Sequence, residues 1–261
     1  SSIVARFLPS AFKNGVDVDA VDGAVELPYD IPNLRVAYVR DEPKAVRTGF
    51  WRGVGCNNNV FAIECLMDEL AMKAGKDPVA FRLAMLGGSP RLKAVLELAA
   101  ARARWQQPRG ARVGLGVCAQ NVFGSFIATV LEAEVDSQGE ILLRRLTSVV
   151  DTGIAVHPDT VAAQIEGGLV FGLSAALHGR ISLKNGRIEQ SNFHDYRVLR
   201  IHEVPPIDVH VVQSGEAPGG IGEAGTVAAA PALRNAIYAA TGVPLRRMPV
   251  DRQALALKKK A

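Results

Sequence analysis

Cysteine is scarce in this 261-residue chain, which holds only Cys56, Cys65 and Cys118. No two of them form C-x-x-C, so neither a disulfide framework nor a zinc or iron–sulfur site is encoded locally, and any metal is expected to arrive inside a cofactor. Aromatics amount to 6% and the formal net charge is only +4, with basic residues gathered at Arg102, Arg104, Arg109 and Arg112 and at Lys258 to Lys260. A nucleic-acid surface wants basic residues interleaved with aromatics, so no nucleic-acid partner is expected and the lysine run reads as a solvated tail. No apolar run reaches the roughly 18 to 20 residues that span a bilayer, and no transmembrane segment is expected. The opening Ser1 to Arg6 has no signal pattern and no initiator methionine, which is the expectation for a processed product or a piece of a longer chain. His178, His194, His202 and His210 are dispersed without ligand spacing, so no protein metal ligand is assigned.

What is present is a core. Hydrophobic residues make up 48% of the chain, enough for one large or two modest domains. Residues 1 to 50 are punctuated by proline, and Leu34 to Val39 reads as a strand. Apolar residues at helical spacing predict a buried helix over 58 to 74, and Asp77-Pro78 and Ser89-Pro90 start two more. Phe126 to Asp136 and Ile141 to Val150 form one expected hairpin, and Asn185-Gly186 is a tight-turn signal for a second. A helix is expected over 158 to 176, and a last one over 227 to 241 with Pro231 kinking it or marking its true start. Helices mixed with antiparallel hairpins make the fold class α+β.

The stretch Pro218 to Thr226 sets one carboxylate, Glu223, among Gly219, Gly220, Gly222 and Gly225 just before an apolar helix. Glycine removes side-chain bulk there and lets the backbone pass close to a bound group. The same residues spell G-x-G-x-x-G, yet the apolar run 207 to 212 is separated from Gly220 by a Pro-containing stretch, and too little chain follows for a dinucleotide-binding βαβ unit. Stabilisation of the helix N-terminus is the competing account of Glu223. Thr48 to Gly55 is a second glycine-flanked loop opening onto a helix, suited to an anion or, equally, a turn plugged by Trp51. For Phe123 to Phe126 the ordinary account is a β-bulge or a close backbone contact. Asp151-Thr152-Gly153 lacks the second D-T-G of a protease dyad, and Asp159 or Thr160 is expected to cap a helix. Gln164 and Glu166 sit among small residues, which predicts tight helix packing or proximity to a bulky ligand.

Together, W-R-x-V-G (Trp51 to Gly55), F-x-I-E-x-x-x-D-E-L-A (Phe61 to Ala71), F-G-S-F (Phe123 to Phe126), V-x-D-x-G-x-A-V-H-P-D-T (Val149 to Thr160), A-Q-I-E-G-G (Ala163 to Gly168), S-N-F-H-D-Y (Ser191 to Tyr196) and G-I-G-E-A-G-T (Gly220 to Thr226) resemble one family. It is the molybdenum-binding large subunit of the xanthine oxidase and aldehyde oxidase superfamily, of the isoquinoline 1-oxidoreductase β-subunit type. The resemblance implies part of a molybdopterin-binding domain, with 1–110 ending a first region that carries three helices and 111–261 forming a C-terminal region that carries the catalytic loop. It implies that Glu223 is the base that deprotonates the molybdenum-bound hydroxyl as its oxygen attacks an electron-poor carbon. It implies that Trp51, Arg52 and Gly53 face the metal end of molybdenum–molybdopterin cytosine dinucleotide, while Gln164, Gly222 and the turn Phe123, Gly124, Ser125 and Phe126 meet the pterin or its diphosphate. Implied partners are an N-terminal portion of the same subunit, a small subunit with 2Fe–2S clusters and a small-molecule substrate, an N-heteroaromatic compound or an aldehyde. Cys56 to Asn59 and Cys118 to Val122 depart from the family pattern and are expected to face substrate or cofactor. A scaffold unable to hold cofactor, or an aldehyde dehydrogenase of the same superfamily, are the alternatives. The compartment, cytoplasmic or periplasmic, stays open.

Overall fold

A computed structural model describes residues 16–41, 46 and 49–257, with the backbone of 12–13. The lysine tail and Thr48 lie outside the described residues. A short antiparallel pair, β1 (Phe12–Lys13) and β2 (Val16–Asp17), leads into a one-turn helix α1 (Val18–Val21). Three helices follow, α2 (Cys56–Lys73), α3 (Pro78–Leu83) and α4 (Pro90–Arg102). Asp77 caps α3 as expected, its Oδ1 accepting from the Ala80 N–H at 2.8 Å.

The central sheet runs in the order β3 (Val113–Val122), β4 (Ser125–Val135), β5 (Ile141–Asp151) and β8 (Ile207–Val211). The β4–β5 hairpin is the one expected from sequence, and the Asn-Gly turn joins the small pair β6 (Leu183–Lys184) and β7 (Arg187–Ile188). Two features of the sheet were not expected. β3 pairs with β4 along its whole length, and β8 pairs with β5 in parallel, with α5 (Pro158–His178) lying between them in sequence. The sheet is covered on both faces, which removes the polar alternation that betrays a strand. On one face Val117, Ala119, Ala128, Val130 and Val149 pack with Leu92 and Leu96 of α4. On the other, Cys118, Ile127, Leu131, Leu146 and Val150 pack with α5 and α6 (Ala224–Thr241).

Several local expectations need correction. Leu34 to Val39 forms no strand: it pairs with neither outer edge of the sheet, and Leu34, Val36 and Val39 are exposed. Phe123-Gly124 is a two-residue hairpin turn joining β3 to β4, with both residues at positive φ, rather than a bulge. The cap of α5 is His157, whose Nδ1 accepts from the Thr160 N–H at 3.2 Å, not Asp159 or Thr160. The last helix begins at Ala224 and continues through Pro231.

α6 is made of small residues because it is wedged between sheet and helix. A Cβ on Gly114 or Gly116 of β3 would lie 2.3 Å from Ala236 O or 2.0 Å from Ala236 N, and one on Gly172 of α5 would lie 2.6 Å from Ala229 Cβ. Of the small residues around Gln164, Gly168 packs tightly as expected, a Cβ there lying 2.9 Å from Thr226 N, whereas one on Gly167 would meet nothing within 4 Å. By length and composition α5 is apolar enough to cross a membrane, and half of its apolar window is buried inside the fold.

The D-E-L-A motif of α2 is structural. Glu64 and Asp68 point into the core, where Arg82 of α3, wholly buried, bonds Glu64 Oε2 at 3.1 Å and Asp68 Oδ1 at 2.6 Å. Tyr29 donates to Glu64 Oε1, the Ala119 N–H donates to Oε2, and Glu69 at the rim pairs with Arg234 and Arg246. Burial pushes the Asp68 carboxyl up from its ordinary value, and Arg82 opposes that shift.

Candidate functional site

The loop after β8 and the loop before α2 meet. Arg52 donates from Nε to the Gly222 carbonyl oxygen at 2.8 Å and from a terminal nitrogen to Gln164 Oε1 at 2.9 Å. Trp51 stacks on Phe171 of α5, ring centroids 4.9 Å apart. Residues distant in sequence, Trp51, Arg52, Gln164 and Gly222, are therefore brought together beside Glu223. Arg52 makes no ion pair among the described residues, so its charge is answered only by neutral acceptors.

The W-R-G loop is latched by Asn57, a residue of the departing segment Cys56 to Asn59, whose amide, expected to face substrate or cofactor, faces the loop. Asn57, in the first turn of α2, donates from Nδ2 to Arg52 O at 2.7 Å. Gly53 is required there, since a Cβ would lie 2.4 Å from Asn57 Oδ1 and φ is +99°. Val54 holds φ +46°, a costly conformation for a β-branched residue and a form of strain that collects at ligand loops. Asparagine two residues after a glycine-flanked loop was the available signal.

Glu223 occupies the N-cap position of α6 but spends its carboxylate on no capping bond, and it hydrogen-bonds no side chain among the described residues. At that position its charge still faces the N-terminal partial charge of α6, as the helix-dipole account requires, while the carboxylate itself stays free to take a proton. Its charge reaches Cys56: burial first, then a hydrogen bond to Asp22 and the charges of Asp22 and Glu223, push the Cys56 thiol far above its ordinary range. Cys56 is a buried, inert thiol, not a nucleophile. Cys118, Ala119 and Gln120 are also buried, so of the two departing segments only exposed Asn58 and partly exposed Asn57, Asn59 and Asn121 can face a ligand.

The other end of the glycine loop is braced by the F-G-S-F turn. The Gly220 N–H donates to Phe123 O at 2.6 Å and the Gly219 N–H to Thr152 O at 2.9 Å. Ser125 Oγ lies 2.8 Å from Thr152 Oγ1, which itself donates to Gly219 O at 3.1 Å. Ser125 is buried and Phe126 lies under the Arg91 guanidinium, so this turn can offer a ligand only Phe123, exposed Gly124 and their backbone. Asp151 anchors the assembly through a two-pronged pair with Arg91, at 2.8 and 2.7 Å, and a bond from Ser214 Oγ at 2.7 Å. The Arg91 bonds above all hold its carboxyl down at about 2. D-T-G is thus a brace that ties the ends of β5 and β8 to the glycine loop.

These residues fit a large, oxygen-rich cofactor. A Cβ at Gly222 would meet nothing within 4 Å, so the loop borders open space. Among the described residues the N–H groups of Gly222, Ala224 and Gly225 find no acceptor, as expected at a helix N-terminus, and such groups with a neighbouring arginine favour an anion. Among the described residues, the two buried side-chain polar atoms without a partner, Gln120 Oε1 and Thr226 Oγ1, both lie at the Glu223 end of α6. Trp51 and Thr226 also wall a cavity of about 480 Å³, together with Asn57, Phe61, Tyr196 and Arg247.

Comparison with known proteins agrees. The sequence matches the molybdopterin cofactor-binding domain family over residues 62–205 and again over 14–86. It is 35% identical to the isoquinoline 1-oxidoreductase subunit beta of Brevundimonas diminuta across 100% of this chain and 34% of that protein. It is 34% identical to a membrane-bound aldehyde dehydrogenase (pyrroloquinoline-quinone) of Gluconacetobacter polyoxogenes across 85% of this chain and 32% of the relative. The chain thus spans about a third of the length of these relatives. The fold resembles quinoline 2-oxidoreductase from Pseudomonas putida 86 with a TM-score of 0.69 at 13% identity, over 78% of this chain and 52% of that one. The chain belongs to the molybdopterin cofactor-binding domain family.

Proposed function

We propose that the chain is the Glu223-bearing part of a molybdenum hydroxylase subunit that oxidises an N-heteroaromatic compound or an aldehyde with water as the oxygen source. The observation that carries this reading is the uncommitted Glu223 carboxylate beside the Arg52, Gln164 and Gly222 junction. Trp51, Arg52 and Gly53 would face the metal end of the cofactor. Gln164, Gly222, Phe123 and Gly124 would border its pterin and diphosphate, the cytosine dinucleotide form being the one proposed. When bound, the cofactor supplies a two-electron acceptor and oxygen drawn from water.

The chain's own contribution is proton handling and positioning. Hydroxylation converts R–H and water into R–OH, two electrons and two protons, and Glu223 accepts the first proton. A half-buried acid with no competing hydrogen-bond donor is available for that transfer. Arg52 holds the peptide that carries the acid and contributes positive charge beside an anionic group. Electrons leave through a small 2Fe–2S subunit, since the three cysteines are buried singly. An N-terminal portion of the molybdenum subunit, on a separate chain or the same one, completes the cofactor cradle.

The test is metal analysis with anaerobic substrate reduction on the native assembly, comparing wild type with Glu223→Gln. Molybdenum in both, with reduction by a heteroaromatic or aldehyde substrate lost only in the variant, is the expected result. Undiminished reduction by the variant overturns the base assignment. An assembly devoid of molybdenum replaces the enzyme by a scaffold.

A further inference from the structure

Glu223 sits between two carbonyl groups that are each held from outside the helix. The Gly222 oxygen is taken by Arg52, and the Ala224 oxygen accepts from Gln120 Nε2 of β3 at 2.9 Å. Gln120 is 3% exposed, and its other polar atom, Oε1, has no partner. A buried amide with half its capacity unmet is a poor choice for filling a core, where an apolar side chain of equal volume leaves nothing unpaired. Its orientation is dictated by Ala224 O, which demands the N–H side of the amide and leaves the oxygen stranded.

We infer that Gln120 is a positioning residue for Glu223, fixing from the sheet the first turn of α6 so that the acid keeps one direction toward the substrate. The inference rests on the reading of Glu223 as the base. Arg52 acts from the solvent side on the peptide before the acid, and Gln120 acts from the core on the peptide after it. The Glu223 oxygen is itself taken within the helix by the Thr226 N–H at 2.9 Å. Three successive carbonyls around one side chain are therefore restrained.

Gln120→Leu removes the donor and the stranded oxygen together, and Gln120→Glu keeps the shape but donates only when protonated. Both are made in the native assembly and read by amide hydrogen exchange along α6, by molybdenum content and by the pH profile of kcat/KM. The expected result for Gln120→Leu is exchange about tenfold faster in the first turn of α6 and unchanged in its last turn, with wild-type molybdenum. The acid limb of the pH profile shifts and kcat falls more than KM rises. Gln120→Glu regains first-turn protection as pH is lowered through the titration of the new carboxyl. Equal first-turn exchange in wild type and Gln120→Leu overturns the inference, as does an unchanged pH profile. Should Gln120→Leu not fold, Gln120→Glu alone decides, and protection that does not respond to pH overturns it. If Glu223→Gln retains turnover, the base reading fails while hydrogen exchange still reports whether Gln120 holds the turn.

Discussion

The Arg52 guanidinium lies 2.8 Å from the carbonyl oxygen of Gly222, joining two loops that are 170 positions apart in sequence. One planar group serves Gly222 and Gln164 at once, a geometry that lysine cannot reproduce. Arg52→Lys is therefore expected to lower molybdenum content or turnover of the assembly at least about tenfold while moving Tm by only a few degrees. Wild-type metal content together with wild-type turnover would remove Arg52 from the site.

Asp151 predicts the acid sensitivity of the brace. Its folded pKa of about 2 lies below the unfolded value, so the unfolded chain binds the proton more readily and stability rises with pH across that interval. The contribution, roughly 2 kcal/mol, is complete above about pH 4 and lost as pH falls toward 2. Thermal denaturation of wild type and Asp151→Asn between pH 2 and pH 6 checks this. The two curves should converge at the acid end, and a constant gap would assign the stabilisation elsewhere.

Two glycines on facing helices should respond in opposite directions. A Cβ on Gly225 would lie 2.6 Å from Ile165 O, whereas one on Gly167 meets nothing within 4 Å. Gly225→Ala should cost about 1–3 kcal/mol through overpacking, and Gly167→Ala should gain roughly 0.5–1 kcal/mol from helix propensity. Urea midpoints of the two variants measure the contrast.

Removing Arg82 strands two buried acids. Arg82→Met is expected to cost about 3–5 kcal/mol, because Glu64 and Asp68 then lack their cation. Adding Glu64→Gln and Asp68→Leu to the same chain should recover part of that loss. A triple variant no more stable than the single one would mean that the loss lies in packing around Arg82 rather than in its charge.

The elements visible in the sequence are those written in local code. The helical period of Phe61 to Ala71, the Asp77-Pro78 cap, the Asn185-Gly186 turn and the glycines around Glu223 all act within a few residues. What escaped notice depends on partners distant in sequence. β3 is doubly buried and glycine-rich because α6 lies on it, and the parallel place of β8 is set by the crossover through α5. Asp151 is excluded as a protease acid by the want of a second D-T-G, but its bracing role appears only once Arg91 and Ser214 close around it. Leu34 to Val39 shows the opposite error, an apolar run that reads as a strand but pairs with none. In the site, the motifs draw attention to Trp51, Arg52, Gln164 and Glu223, whereas Asn57 and Gln120 stand out only within segments that depart from the family pattern, and their bonds to Arg52 O and Ala224 O are visible only in the fold.

The wedge in which α6 sits has a consequence for how this scaffold can diversify. Backbone touches backbone at Gly114, Gly116, Gly168, Gly172 and Gly225, so those positions admit no larger side chain without displacing the helix that ends at the acid. A library built to change which molecules are accepted should therefore leave α6 and its glycine contacts untouched and randomise Asn58, Phe61 and Tyr196, which line the cavity beside it.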